Sequence, residues 1–174
     1  VRDTDNLQNC MKFFKGTKYD FIGIADCRAR SSEDVSIGTN KKGLSVMNTQ
    51  SFNLEKTVDG VEPGGKNGNL MFCVLGECAT VGEMKDFLDK ASLDGLCANF
   101  GVIDAEGGAG WFEVSTRGYK YFDANDPQTA PGGYLARTNF SFTGEEHEGL
   151  GYVRYQTDDE TLKIAAQAES ITPQ

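Results

Sequence analysis

Hydrophobic and polar positions alternate with a period of two early in the chain, switch to a 3.6-residue period in the middle, and return to period two before a last helical stretch. Residues 20–26 (D-F-I-G-I-A-D) alternate large with small or polar side chains, as a half-buried strand does. Residues 36–39 and 43–49 are two further predicted strands. Asn40-Lys41-Lys42-Gly43 joins them, with Asn and Gly available for the positive φ of a hairpin turn. Residues 55–69 are rich in glycine and polar residues and carry Pro63-Gly64-Gly65. They predict a surface loop of about a dozen residues, long enough to be functional.

The middle block is helical. Residues 70–75 are continuously apolar, and at that length helix and strand both fit. Thr80-Val81-Gly82-Glu83 is a capping box, and Met84, Phe87, Leu88 and Ala91 behind it share one helix face. Lys90 in the last turn and Gly95 beyond it mark the end. Strands then resume at residues 98–104, 110–115 and 119–122, with a turn at 105–108. In the second of these Trp111, Glu113 and Ser115 face one way, Phe112 and Val114 the other. Residues 134–142 are the last predicted strand, before a polar turn at Gly144-Glu145-Glu146. A second capping box, Thr157-Asp158-Asp159-Glu160, opens a helix with Leu162, Ala165 and Ala166 on one face. Runs of strands and runs of helices that do not alternate singly predict an α+β domain of antiparallel sheet under helices.

Composition narrows the function. The 174 residues fit one domain, and the formal net charge of -9 argues against a general nucleic-acid binder, which needs a basic face. No apolar run approaches the roughly 18–20 residues of a membrane span. The five cysteines, Cys10, Cys27, Cys73, Cys78 and Cys97, include no C-x-x-C pair, and His147 is the one histidine, so a Cys/His zinc site is not expected. The thiols are expected to be reduced and partly buried, or, in an exported protein, to form one disulfide and three thiols. Localisation stays open between cytoplasm and export.

Phosphate-loop, serine-elbow, zinc-protease and EF-hand signatures are absent. Gly107, Gly108 and Gly110 lie between two strands and make a hairpin, while His147 among Glu145, Glu146 and Glu148 reads as a solvated surface histidine. Chemistry without histidine and without metal can use an N-terminal nucleophile, whose own α-amine, with a pKa of about 7.7–8.0, serves as base. Such a site needs an acid or amide to orient the amine, a cation to favour the nucleophilic anion, and an amide donor for the oxyanion. Arg2, Asp5, Asn48, Asn139 and Arg154 are the candidates.

Five stretches, in order, resemble the cysteine branch of the N-terminal-nucleophile (Ntn) hydrolases, the choloylglycine hydrolase, penicillin V acylase and isopenicillin-N acyltransferase-like group. Arg2-Asp3-Thr4-Asp5 resembles that group's R-x-x-D, and Gly43-Leu44-Ser45-Val46-Met47-Asn48 its G-L-x-V-x-x-N region. Ala98 to Gly107 followed by Trp111-Phe112-Glu113-Val114 resembles its hairpin, Arg137-Thr138-Asn139-Phe140 its T-N strand, and Tyr152-Val153-Arg154-Tyr155 its R-Y segment. The resemblance implies a four-layer αββα sandwich of two antiparallel sheets between helices. It implies hydrolysis of linear, non-peptide amide C–N bonds, or acyl transfer from them, on a small acyl-amide substrate without a cofactor. By residue it implies that Asp5 binds the nucleophile's α-amine, Arg2 and Arg154 polarise the thiolate, Asn139 donates to the oxyanion, and Asn48 or a neighbour binds the amine or helps position the substrate. Asp104 and Glu113 are read as structural.

The group's nucleophile is a cysteine on a strand before the R-x-x-D; Val1 is not a nucleophile, and Cys10 follows the motif. The expectation is a single Ntn-hydrolase-like domain over residues 1–174, incomplete at the N-terminus and at the C-terminus, whose cysteine lies roughly 12–20 residues upstream. The alternative is a catalytically inactive binding or structural domain of the same fold. A homo-oligomer is compatible with either. Residues 55–69 and 124–133 are candidate pocket walls, and Trp111, Phe52 and Phe142 candidate lining of an acyl pocket.

Overall fold

The computed structural model describes residues 8–28, 33–54, 66–145 and 147–168. Arg2 and Asp5 and most of the 55–69 loop lie outside them. Ten elements follow in the order β1 (Asn9–Phe14), β2 (Phe21–Asp26), β3 (Ile37–Asn40), β4 (Ser45–Gln50), α1 (Asn67–Glu77), α2 (Val81–Leu88), β5 (Cys97–Ile103), β6 (Ala109–Ser115), β7 (Gly118–Asp123) and α3 (Gly149–Gln167). The strands form one antiparallel sheet in chain order, β1 to β7. The expected α+β class is present. The described residues form a single sheet and do not display the second sheet of a four-layer sandwich.

One face of the sheet carries the core. Val46, Val102, Phe100 and Phe112 meet Met71, Val74 and Leu75 of α1 and Met84 and Leu88 of α2, all buried. Each such side chain contributes roughly 1.5–3 kcal/mol on removal from water. Leu70 to Leu75, ambiguous by pattern, belongs to α1, because the apolar run lies over β3 and β4. Asn40 closes the predicted hairpin and also ties it to the helix. Its Oδ1 accepts from Lys42 N (3.0 Å) and Leu44 N (3.1 Å), and its Nδ2 donates to Leu75 O (2.9 Å) and Cys78 O (2.7 Å). Gly43, at φ +90°, supplies the left-handed residue of that turn.

The capping box at α2 forms. Thr80 Oγ1 accepts from Glu83 N at 3.2 Å, while the Glu83 carboxylate reaches Ala79 N at 2.8 Å. Asp104 joins α2 to the β5–β6 turn, accepting from Val81 N, Glu106 N and Gly108 N at 2.8–2.9 Å. Burial alone would raise its pKa, but the N–H groups of Val81, Gly108, Glu106 and Gly107 outweigh it, and the carboxyl is held below its ordinary value. A carboxyl depressed in the fold stabilises above its unfolded pKa, and that stability is lost as pH falls through the folded value. Asp104→Asn is therefore expected to lower stability by about 1–2 kcal/mol at neutral pH. In denaturation curves the gap from wild type should close below about pH 4; a gap of the same size at pH 3 would assign it to shape rather than charge.

Three features differ from the sequence expectation. Residues 9–14 form an edge strand that their pattern does not announce: Met11 and Phe13 point to solvent, 69% and 63% exposed. That strand brings Cys10 beside Cys27 at a Cα separation of 5.6 Å, and the two are disulfide-bonded, while Cys73, Cys78 and Cys97 remain as thiols. α3 begins at Gly149, so the expected cap Thr157 lies inside it, its Oγ1 turned back to Val153 O at 3.2 Å. Residues 134–142 form no strand, for a reason that bears on the site.

Candidate active site

Across β4, β5 and β6 the register aligns Thr49, Asn99 and Glu113 in one row on the face away from α1 and α2. These three polar side chains hold residues 137–143 by groups that a neighbouring strand would otherwise have supplied. Thr49 Oγ1 donates to Thr138 O (2.7 Å), and Asn99 Nδ2 to Thr138 O (3.0 Å) and Phe140 O (2.9 Å). Glu113 accepts from Arg137 Nε (2.7 Å), Phe142 N (3.0 Å), and Thr143 N and Oγ1 (both 2.8 Å). Asn53 adds both of its amide atoms to Ser141, and Phe52 N donates to Asn139 O at 3.0 Å. The strap's backbone groups are thus met largely by side chains, and residues 134–142 are partly buried without forming a strand ladder.

Asn139 stands in the middle of this strap. Its Nδ2 donates to Gln50 O at 2.7 Å, and its Oδ1 accepts from Arg154 Nη2 at 2.6 Å. A carbonyl only accepts and a guanidinium only donates, so the two partners fix which end of the amide is nitrogen. Nδ2 has a second N–H, without a partner among the described residues. Arg154 comes from α3, whose first turn lies against the strap. Thr138 Oγ1 donates to Gly151 O at 2.6 Å, and a Cβ on Gly151 would stand 2.7 Å from Asn139 O. Only a residue without a side chain lets the helix approach this closely.

The structure therefore brings together two of the five candidates, Asn139 and Arg154. Asn48 is set apart: it is paired with Phe100 and shares its face with Val46, the α1 side, whereas the next residue, Thr49, faces the strap. Arg2 and Asp5 lie outside the described residues, but β1 starts, at Asn9, at the same end of the sheet as Gln50. Sequence reasoning did not single out Thr49, Asn99, Ser51 or Asn53. Their signal is a polar residue where a sheet-face apolar one is expected, and it is visible only once the register is known.

None of the chain's own thiols is suited to attack. Cys10 and Cys27 are bonded to each other. Burial pushes the Cys78 thiol up to about 12, and burial with Glu77 and Glu33 raises Cys73 on α1. Cys97 is buried and points its Sγ at Ser51 O, 3.2 Å away. A nucleophilic thiol needs the opposite shift. His147 is exposed, with its ring edge-on to Phe140 at 5.1 Å.

Beside the strap, on the same sheet face, is an apolar cavity of about 370 Å³ lined by Ile37, Met47, Ile103, Trp111, Ala124 and Leu135. Met47 and Thr49 are successive residues on that face, so the cavity begins one step along β4 from the strap. Of the aromatic candidates Trp111 lines it and Phe52 and Phe142 do not, and of residues 124–133 Ala124 does. Among the described residues no helix is long and apolar enough to cross a membrane, and no cluster of three or more His, Cys, Asp or Glu could hold a metal.

No family model matches the sequence, and no curated protein matches it. Solved structures do. Two variants of conjugated bile acid hydrolase from Clostridium perfringens superpose with TM-scores of 0.54 and 0.55 at 13% identity, covering 97% of this chain and 68% of theirs. The chain has the fold of conjugated bile acid hydrolase. Penicillin V acylase from Agrobacterium tumefaciens also matches, at 18% identity over 65% of this chain and 38% of its own, with a TM-score of 0.43. The likeness to bile acid hydrolase spans sheet, helices and strap together, while about a third of that enzyme's length falls outside it.

Proposed function

We propose that this chain is the larger part of an Ntn-type amidohydrolase that cleaves a linear amide C–N bond, with a cysteine nucleophile that these 174 residues do not include. The observation that carries this is the Asn139 amide, oriented by Gln50 O and Arg154 with one N–H left to donate, in a fold shared with conjugated bile acid hydrolase. The thiolate adds to the amide carbonyl, forming C–S, and the oxyanion takes the second N–H of Asn139. Arg154 draws electron density from Oδ1 and strengthens that donor. The α-amine of the cysteine, oriented by Asp5 and with Arg2 near the thiolate, returns its proton to the leaving amine as C–N breaks. Water then cleaves the thioester to acid and free enzyme, or an acceptor amine takes the acyl group instead.

The sheet face around the site favours an apolar acyl group. Phe13, Ile22 and Ile103 lie in one row across it and Met11 and Ile37 in the next, Ile103 still 57% exposed. So large an apolar face calls for a cover. The second sheet of a four-layer sandwich would provide one, leaving the cavity by Trp111 for the acyl chain. The test is the protein carrying its upstream sequence, offered a panel of N-acyl amides of increasing acyl length. Amine release, with an acyl adduct on the N-terminal cysteine seen by intact mass, is the expected result, and the 174 residues alone should show none. Release by the 174 residues alone, or no adduct on the longer protein, would overturn it and favour a binding role.

A further inference from the structure

We infer that Asn99 is a positioning residue that sets the Asn139 amide for reaction, an inference that rests on the role proposed above for Asn139. Asn99 is fully buried at the centre of the row Thr49–Asn99–Glu113. Its single amide meets the strap on both sides of Asn139. The two N–H groups of Nδ2 go to Thr138 O and Phe140 O, the carbonyls of the residues flanking Asn139, and Oδ1 accepts from Ser141 Oγ at 2.5 Å. Among the described residues, Asn99 is the side chain whose hydrogen bonds reach the carbonyls of both flanking residues. Thr49 reaches Thr138 O alone, and Glu113 holds the strap's ends at Arg137, Phe142 and Thr143. Thr138 O, in the peptide unit before Asn139, and Phe140 O, one unit beyond the peptide that follows it, are therefore referenced to one atom on a central strand, and with Asn139 O held by Phe52 N their positions set where Nδ2 points.

That arrangement differs from ordinary stabilisation. Stability alone would be served by any group that satisfies the two carbonyls, in any relative position. Orientation needs both bonds from the same rigid amide, because a strap that pivots about one of them swings the Asn139 side chain. A donor displaced by about 1 Å is enough to lower a rate by about 10²-fold.

The experiment is a double-mutant cycle in the full-length protein, using the N-acyl amide it turns over fastest. Asn99→Ser keeps one donor and Thr49→Val removes the second donor to Thr138 O; the latter is the gentler change should the former fold poorly. For Asn99→Ser we expect kcat to fall 10- to 100-fold with KM within twofold, while the near-ultraviolet circular dichroism stays native. For Thr49→Val the fall should be smaller, and Asn99→Asp, which has no donor, should not rescue. In an Asn139→Ala background, Asn99→Ser should cost no more than twofold further, since it acts through Asn139. Equal losses in both backgrounds, or a lowered melting temperature with kcat unchanged, would overturn the inference. If Asn139→Ala itself left kcat unchanged, it is the proposed function that would fall.

Discussion

Asn139→Ala is expected to lower kcat by about 10²–10³, the usual cost of removing one preorganised oxyanion donor. KM should move little, because the lost bond forms only as negative charge develops on the carbonyl oxygen. The substitution should be mild for the fold. Nδ2 loses one bond to Gln50 O on an exposed residue, and Oδ1 one bond from exposed Arg154, so water replaces both. Steady-state kinetics with a thermal melt separates these effects. A kcat within threefold of wild type in a folded protein would remove Asn139 from the reaction. Arg154→Gln is the informative companion: it keeps a donor for Oδ1 without the charge and should give a smaller loss than Asn139→Ala.

How much of this was legible depended on distance along the chain. The β3–β4 hairpin, the α2 capping box and the β5–β6–β7 meander rest on contacts between near neighbours, and turn chemistry at Asn40-Gly43 and Thr80-Glu83 announces them. Strand β1 did not show, because an edge strand with Met11 and Phe13 outward carries no inside–outside alternation to read. The Cys10–Cys27 pairing was hidden with it. The strap reads as a strand in the sequence because it mixes buried Arg137, Phe140 and Ser141 with partly exposed residues, while its partners are side chains as distant as Thr49. Candidate pairs followed the same rule. Asn139 and Arg154 are fifteen residues apart and joined through one helix turn, and they do meet. Asn48 was placed by motif alone, and a strand's strict period of two turns a one-residue difference into the opposite face.

Glu113→Gln is expected to destabilise the fold by about 3–5 kcal/mol. The Glu113 and Arg137 side chains are 0% and 1% exposed and joined at 2.7 Å. The guanidinium lies over the rings of Phe122 and Phe142, 4.5 and 4.1 Å from their centroids, its Nη1 on Ala136 O and its Nη2 without a hydrogen-bond partner among the described residues. Burial already works against its charge, and Glu113 is what offsets that. Glutamine has nearly the same shape but one acceptor oxygen, so an N–H group would face Phe142 N or Thr143 N and the arginine would stay charged in an apolar sandwich. For a chain of this size the loss corresponds to a fall in Tm of roughly 6–20 °C. Urea denaturation of wild type, Glu113→Gln and the double variant Glu113→Leu/Arg137→Met measures it. The double variant should recover much of the loss, because no charge is left buried. A single-variant loss below 1 kcal/mol would mean that the strap's ends are not seated on β6 in solution, and the Asn139 amide would then lack the frame on which its donor role depends.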